Sequence, residues 1–209
     1  MHCFTWIAEN STKCDLINEF PNSYCEKSCQ LCDSNLVLKE YDLKKIPVTL
    51  KSVAFLIGKW CSEFGGKAVF PTIPTITYGG EIHFYLITNY RGIAWDIWDA
   101  KEMHEEYGFL SVFNNNGTNL ISLNAVMNNG RNCFGFVTVE EGKEREFSIE
   151  LYTQQIGRIS FSHDLPVLRM SRSWTLLDAT HLEARLSIST VTRHEIMEHA
   201  TIVYDRIYP

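Results

Sequence analysis

From Gly58 onward, short stretches rich in Val, Ile, Phe, Tyr, Trp and Thr alternate with polar stretches rich in Asn and Gly. Stretches of this kind predict β-strands, and Asn-Gly pairs such as Asn116-Gly117 predict hairpin turns because both residues tolerate a positive φ. The predicted strands cover residues 58–64, 77–88, 92–99, 106–113, 119–126, 132–140, 145–153, 157–163, 167–176, 181–192 and 198–207. Turns are predicted at residues 89–92, 114–117, 128–130 and 140–142.

The succession of these strands predicts an all-β fold. No helical periodicity lies between them, which argues against parallel βαβ units. Many consecutive short strands favour an antiparallel sandwich or barrel, and a closed barrel leaves no strand edge exposed. A barrel of about eight to ten strands can hold one small ligand in its interior. We therefore predict an antiparallel, lipocalin-like β-barrel of ten or eleven strands.

The region before the barrel divides into two predicted parts. Residues 34–46 are polar and charged, which is typical of a linker. A short helix is predicted to begin at Pro47-Val48, with Thr49 as its cap and with Leu50 and Val53 at helical spacing. The predicted domains are thus an N-terminal module over residues 1–33, a linker over 34–46 and a barrel over 47–209.

The N-terminal module is dense in cysteine. Five of the seven cysteines lie in its 33 residues, and they are Cys3, Cys14, Cys25, Cys29 and Cys32. So short a segment cannot bury enough apolar surface to fold alone, so the pattern favours disulfides. A metal knuckle around the Cys29 to Cys32 spacing is the alternative, but a zinc site needs a second close pair or histidines. The other two cysteines, Cys61 and Cys133, are a further possible pair.

Composition and charge narrow the classes of partner. The chain has 209 residues, 45% of them hydrophobic, and a formal net charge of −6, which argues against nucleic acid. No apolar run approaches the roughly 20 residues needed to span a membrane, and the first residues do not form a secretory signal. Two sequons, at Asn10 and Asn116, fit an extracellular location.

The spacing Cys25-x3-Cys29-x2-Cys32 resembles the end of a ShKT domain. The resemblance implies the disulfides Cys3–Cys25 and Cys14–Cys29 and leaves Cys32 without its partner, because the first cysteine of that family is absent. It also implies that the chain begins inside a longer gene product whose signal peptide lies upstream. We therefore expect a secreted, extracellular protein whose N-terminal module has an unknown protein partner.

From Val48 to Pro209 the chain resembles nitrobindin and the similar C-terminal haem-binding domain of a THAP-domain protein. The segments that carry the resemblance are LIGKW (56–60), GKAVFPTI (66–73), YGGEIHF (78–84), KEMHEEYGF (101–109), GRISF (157–161), MSRSW (170–174) and MEHATIVY (197–204). Gly80 replaces an acidic residue of the family pattern, Glu102 a proline, Glu105 an arginine and Ala200 a leucine, and one residue is missing before His199.

This resemblance implies a specific cofactor and activity. Known members bind haem b inside the barrel, and His199 matches their proximal iron ligand. Thr72 and Ile188 are implied to lie on the cavity wall, with Met103 and His104 near it. Ferric members isomerise peroxynitrite to nitrate, and members also bind nitric oxide, so these small molecules are the predicted ligands.

The residues themselves leave alternatives open. In strand 198–207, alternation places His199 on one face with Thr201 and Val203, as a cavity wall or as an exposed strand surface. His194 is predicted to lie in a solvated loop, and His104 in either the cavity or a loop.

The sequence also suggests roles for the tryptophans and for two arginines. Four tryptophans are predicted to be core or barrel-closing residues, and they are Trp60, Trp95, Trp98 and Trp174. Arg158 and Arg172 could pair with haem propionates or with carboxylates of the barrel. No Ser-His-Asp arrangement or paired catalytic carboxylates are evident. A carrier of an apolar ligand without haem and a non-catalytic extracellular binding module are the alternative functions.

Overall fold

The computed structural model describes residues 39–70, 73–86, 89–98, 101–128, 135–158 and 165–208. Several predictions concern residues outside these ranges and stay predictions. They are the ShKT-like module, the disulfides Cys3–Cys25 and Cys14–Cys29, the position of Thr72, and the pairing of Cys61 with Cys133.

Ten antiparallel strands follow one another in the described residues and close into a barrel. They are β1 (Gly58–Ala68), β2 (Ile76–Phe84), β3 (Asn89–Asp96), β4 (Glu102–Asn115), β5 (Thr118–Asn128), β6 (Gly135–Arg145), β7 (Ser148–Arg158), β8 (Val167–Asp178), β9 (His181–Thr190) and β10 (Arg193–Tyr208). Each strand pairs with its neighbour in sequence, and β10 pairs with β1 to close the sheet. The predicted all-β antiparallel barrel is confirmed, with ten strands.

Two predicted turns are wrong. Residues 89–92 begin β3, where Tyr90 is 1% exposed and belongs to the core. Residues 140–142 lie within β6, and Glu140 is fully buried inside the barrel. In each stretch a polar side chain, Tyr90 or Glu140, is buried inside the barrel. Polar composition therefore does not mark a turn at either place. The turn at Asn116-Gly117 is confirmed, with φ values of 50° and 86°.

Strand β7 replaces two predicted strands. It runs without a break from Ser148 to Arg158, so the separation predicted between residues 153 and 157 is wrong. The rest of the predicted strand 157–163 lies outside the described residues. The β7–β8 register runs from Ser148↔Thr175 to Tyr152↔Ser171 and ends there, although both strands continue.

One end of the barrel is filled by a 3-10 helix, Val48–Leu56. Its buried residues Leu50, Val53 and Leu56 join the main core, and the Leu56 carbonyl accepts a 2.7 Å hydrogen bond from the Trp60 indole. Thr49 is not its cap, because Pro47 precedes the helix and no side chain caps it. The helix packs at the end where β1 begins, so the opposite end of the barrel is left for a cavity.

The part of the predicted linker that the structure describes packs on the outside of the barrel. Two 3-10 turns form there, Lys39–Tyr41 and Leu43–Lys45. Tyr41 is 3% exposed, its hydroxyl lies 2.7 Å from His83 Nδ1, and its ring stacks on Tyr85. His83 also bonds to the Glu81 carboxylate, which forms a 3.2 Å ion pair with Lys59.

Three of the four tryptophans behave as predicted. Trp60, Trp95 and Trp174 are at most 2% exposed, whereas Trp98 is 70% exposed in the connection after β3, so its core assignment is wrong. Within the described ranges, the protein has no helix of the length and apolarity that a membrane span requires.

Candidate functional site

A cavity of about 1000 Å³ occupies the end of the barrel opposite the 3-10 helix. Its wall is mainly apolar, with small residues between larger ones. Residues from the wall include Ala68, Val69, Phe70, Ile82, Ile93, Met127, Ile156, Met170, Ala184, Leu186, Ala200 and Ile202. Such a volume and lining suit a ligand with a large apolar body.

His199 lies on the wall of this cavity at an irregularity in β10. The β9 register passes from Glu198↔Ser187 to Ala200↔Leu186, so His199 is an additional residue without a partner in that ladder. A bulge of this kind changes the direction in which a side chain points. His199 is half-buried, and the Phe70 ring meets the imidazole edge-on with 4.8 Å between ring centroids.

The imidazole is fixed by one hydrogen bond. His199 Nδ1 lies 3.0 Å from the Val69 carbonyl oxygen, which can only accept, so Nδ1 carries the proton. Nε2 has no hydrogen-bond partner among the described residues. Burial lowers the pKa of His199 below its ordinary value; the bond to Val69 raises it in part, and nearby His104 lowers it again. The neutral imidazole is therefore favoured, and neutral imidazole is the form that binds metal.

The alternation predicted for β10 is wrong after the bulge. The cavity is lined by Ala200, Ile202 and Tyr204, whereas Thr201 is not among the lining residues and Val203 is 39% exposed. The additional residue shifts the face by one position, which simple alternation cannot anticipate. His194 is exposed as predicted, but it lies in β10 and not in a loop.

The other site residues that the structure describes also reach the cavity. Met103 and His104 line it from the start of β4, and Ile188 from β9. Of the described residues, no group of three or more His, Cys, Asp or Glu side chains could hold a bare metal ion.

A charged cluster in the cavity was not predicted as a unit. Arg172 is 5% exposed; its Nε donates to Glu140 Oε2 at 2.7 Å and its Nη1 to Glu106 Oε2 at 3.0 Å. The Tyr90 hydroxyl donates to Glu106 Oε1 at 2.7 Å, and Thr138 donates to Glu140 at 2.8 Å. Arg172 thus pairs with carboxylates of the barrel. This is one of the two pairings predicted from the sequence, the other being with haem propionates. The polar segments around Glu106 and Glu140 gave no sign that these side chains face inward.

Burial and pairing act in opposite directions on this cluster. Burial alone would raise the pKa of Glu106, but Arg172 and His104 together hold it well below its ordinary value. Burial alone would lower the pKa of Arg172, but the two carboxylates hold it well above its ordinary value. Arg172 and Glu106 are therefore charged at neutral pH.

Two tyrosines face the same space without a protein partner for their hydroxyl groups in the described residues. They are Tyr78 and Tyr204, and burial raises the pKa of both hydroxyl groups above the ordinary value of a tyrosine. At Gly80, an added Cβ would lie 3.0 Å from the Tyr204 hydroxyl and 3.2 Å from Ile202 Cδ1. Tyr204 and Ile202 therefore occupy the space that a side chain at this position would need, and Gly80 allows their close approach.

Three arginines lie at the mouth of the cavity, although the chain as a whole has a net negative charge. Arg158, Arg185 and Arg193 line it, from β7, β9 and β10 respectively. Arg185 is held by Glu183 and Glu198 at 2.8 Å and 2.7 Å. Arg193 is exposed at the start of β10.

Comparison with known proteins places this geometry in a family. Residues 49–206 match the family model described as "THAP4-like, heme-binding beta-barrel domain". Uncharacterized protein C28H8.5 of Caenorhabditis elegans is 41% identical over 225 residues, covering 100% of this chain and 72% of that protein. The rat protein named peroxynitrite isomerase THAP4 is 26% identical, and the match covers 84% of this chain but only 30% of that protein.

A solved structure has the same fold. The crystal structure of Rv2717c from Mycobacterium tuberculosis matches with a TM-score of 0.61 and 21% identity, over 78% of this chain and 99% of that one. An Arabidopsis thaliana protein named peroxynitrite isomerase Rv2717c is 25% identical over 74% of this chain and 87% of its own length. Since the family model covers most of the chain, the chain belongs to the THAP4-like haem-binding β-barrel family.

Proposed function

We propose that the cavity binds haem b with His199 as the axial ligand, and that the ferric protein isomerises peroxynitrite to nitrate and also binds nitric oxide. The observation that carries this proposal is the state of His199. Its Nδ1 is bonded to the Val69 carbonyl at the cavity wall, and its Nε2 is left for a metal.

The residues present fit a haem group. Metal-bound histidines in proteins usually donate their other N–H to a carbonyl or carboxylate, which fixes the tautomer and the ring orientation. The Val69 carbonyl has this role here, and the edge-on Phe70 ring restricts rotation of the imidazole. The apolar wall suits a macrocycle, and Arg158 and Arg193 at the mouth suit its propionates.

Ferric haem with one imidazole ligand supplies a Lewis-acidic coordination position that remains open to an anion. The chain then has three tasks: to hold the imidazole neutral and oriented, to surround the group with apolar side chains that exclude water, and to admit a small anion. Burial of His199 serves the first, and the Ile, Leu and Met side chains of the wall serve the second. Relatives named peroxynitrite isomerase support the reaction, at low identity.

We also propose an extracellular setting. The sequon at Asn116 supports it, because Asn116 lies exposed in the turn between β4 and β5, where an oligosaccharide would be accommodated. The proposal is tested by expressing the gene in a secretory cell and measuring glycosylation of Asn116. Retention of the unglycosylated protein inside the cell would contradict it.

Haem binding is tested by titrating haemin into the purified chain and following the Soret band. We expect stoichiometric uptake by the wild type and a weakened, shifted Soret band in His199→Ala. His194→Ala is the matched control, since His194 lies on the same strand but is exposed outside the cavity, and it should bind as the wild type does. Unchanged uptake by His199→Ala would refute the ligand assignment, and co-purified lipid with no haem affinity would favour a carrier.

Catalysis needs a separate measurement. Stopped-flow decay of peroxynitrite should be faster with the ferric haem protein than with the same concentration of free haemin, with nitrate as the product. Equal rates would remove the enzymatic claim while leaving haem binding intact.

A further inference from the structure

His104 and His199 line the same cavity, but the groups around the two rings differ in charge. Both residues line its wall, and they are close enough for the charge of His104 to lower the pKa of His199. His104 Nε2 lies 3.8 Å from Glu106 Oε1, whereas the only hydrogen bond of the His199 side chain among the described residues is to the neutral Val69 carbonyl. Pairs of titratable groups whose surroundings separate their charge states are typical of sites with divided roles.

The charges around His104 leave one negative charge to be balanced. The interior cluster contains Glu106 from β4 and Glu140 from β6, and Arg172 from β8 supplies one positive charge between them. Tyr90 from β3 donates a hydrogen bond to Glu106 but stays neutral, since its pKa is raised well above 10. His199 from β10 opposes a charge on His104, as do Arg158 and Arg193 at the mouth.

Distance from His104 and screening by solvent decide whether Glu106 or the arginines of the mouth have the larger effect on the charge of His104. The carboxylate of Glu106 is ionised, lies 3.8 Å from the ring and has a side chain only 13% exposed, so its field is weakly screened. Arg193 is exposed at the mouth, where solvent and salt screen its charge. The nearby buried carboxylate therefore outweighs the arginines of the mouth.

We infer that His104 is cationic in the folded protein and is the residue by which the cavity selects anionic ligands over neutral ones. This inference rests on the proposed function, because it names the charge of the substrate that the same cavity admits. The side chain of His104 is 31% exposed, so its charge can act on a ligand in the cavity while Glu106 lies 3.8 Å from its Nε2. His104 is thus a specificity-determining residue, and Glu106 positions it.

The first test uses the full chain without haem, so that it is independent of haem binding. The His104 resonance, assigned by its absence in His104→Gln, is followed by NMR through a pH titration. We expect it to be protonated at neutral pH in the wild type and to titrate at lower pH in Glu106→Gln. A ring that is neutral at pH 7 in the wild type overturns the inference, whether or not Glu106→Gln folds.

The second test compares an anion with a neutral ligand of ferric haem, using azide and imidazole on the haem-loaded protein. In His104→Gln we expect azide affinity to fall by about tenfold or more while imidazole affinity changes little, since the positive charge of His104 is lost. His194→Gln is the matched control and should change neither. Equal losses for both ligands, or none for azide, overturn the inference even if His199→Ala has confirmed haem binding.

Discussion

The charged residues of the cluster inside the barrel each have a partner of opposite sign. Arg172 holds Glu106 and Glu140 in the interior, and its guanidinium also lies 5.6 Å from the Trp174 ring. A buried charge that loses its partner is far more costly than an exposed one, because water no longer solvates it. The stability of the barrel therefore depends on Arg172 much more than on any arginine at its surface.

Replacing Arg172 by methionine should lower the free energy of unfolding by about 3–5 kcal/mol, because two carboxylates would be left buried without a cation. Arg185→Met is the matched control, since Arg185 also pairs with two glutamates but is exposed, and we expect less than about 1 kcal/mol. Urea unfolding measures both. Similar losses in the two variants would show that the interior cluster is solvated.

Acid should destabilise the fold through Glu81 and Glu106. Burial alone would raise both pKa values, but His83 and Lys59 lower that of Glu81, and Arg172 and His104 lower that of Glu106. A lowered folded-state pKa stabilises the fold above the unfolded value of about 4.3, and this contribution is lost as the pH falls toward the folded value.

We expect the free energy of unfolding to fall below about pH 4 through these two carboxylates, after a separate loss that begins near pH 6.5, where His199 takes up a proton in the unfolded chain but not in the fold. Glu106→Gln should reduce the acid slope by up to about 1.4 kcal/mol per pH unit, because one proton fewer is taken up on unfolding. Chemical unfolding at a series of pH values measures this slope. An unchanged slope would mean that Glu106 is not ionised in the fold.

At the level of the strands, the sequence predicted the barrel but not the direction of every side chain. Alternation located the strands because each has one face in the core, as Ile82 and Phe84 show in β2. It failed at Glu140, where a charged residue faces inward because a distant arginine on β8 pairs with it. It failed again beyond His199, because a bulge is a property of the pairing with β9 and leaves no mark on one strand alone.

Close approach of neighbouring strands makes one glycine in β6 necessary. A Cβ added at Gly142 would overlap the backbone carbonyl of Glu150 on β7, whereas one at Gly157 would meet nothing closer than 3.9 Å. Gly142→Ala should therefore cost more than about 2 kcal/mol, and Gly157→Ala, the matched control, less than about 0.5 kcal/mol. Urea unfolding of both variants tests this, and equal stabilities would place the strands further apart than described.

For the whole molecule, residues 39–46 belong physically to the barrel. Tyr41 is buried against His83, and the Leu86 amide donates a 3.0 Å hydrogen bond to the Glu40 carbonyl. Composition indicated a linker because the segment is charged, and charge does not report the burial of one tyrosine.

The volume of the cavity and the hydrogen bond between His199 and the Val69 carbonyl also depend on contacts between distant parts of the chain. Both arise only when β1 and β10 meet, so no local sequence pattern could predict them.

A chain that begins at Pro47 should be less stable than one that begins at Asn35, by about 2–4 kcal/mol, since burial of an aromatic ring and its hydrogen bonds is lost. Both chains lack the cysteine-rich segment, so the comparison isolates residues 35–46. Tyr41→Ala in the longer chain should reproduce most of the loss. Equal midpoints in urea would show that the segment contributes nothing to the fold.

The ladder between β7 and β8 stops at Tyr152↔Ser171, while Ile156, Val167 and Met170 beyond it line the cavity. Among the described residues, the Thr153 hydroxyl still joins the two strands just beyond that point through a 2.7 Å hydrogen bond to the Met170 carbonyl. On its other side β7 stays paired with β6 as far as Phe136↔Arg158. Of the amides from Gln154 to Arg158, those that point away from β6 should therefore exchange with solvent before those in the β6–β7 ladder.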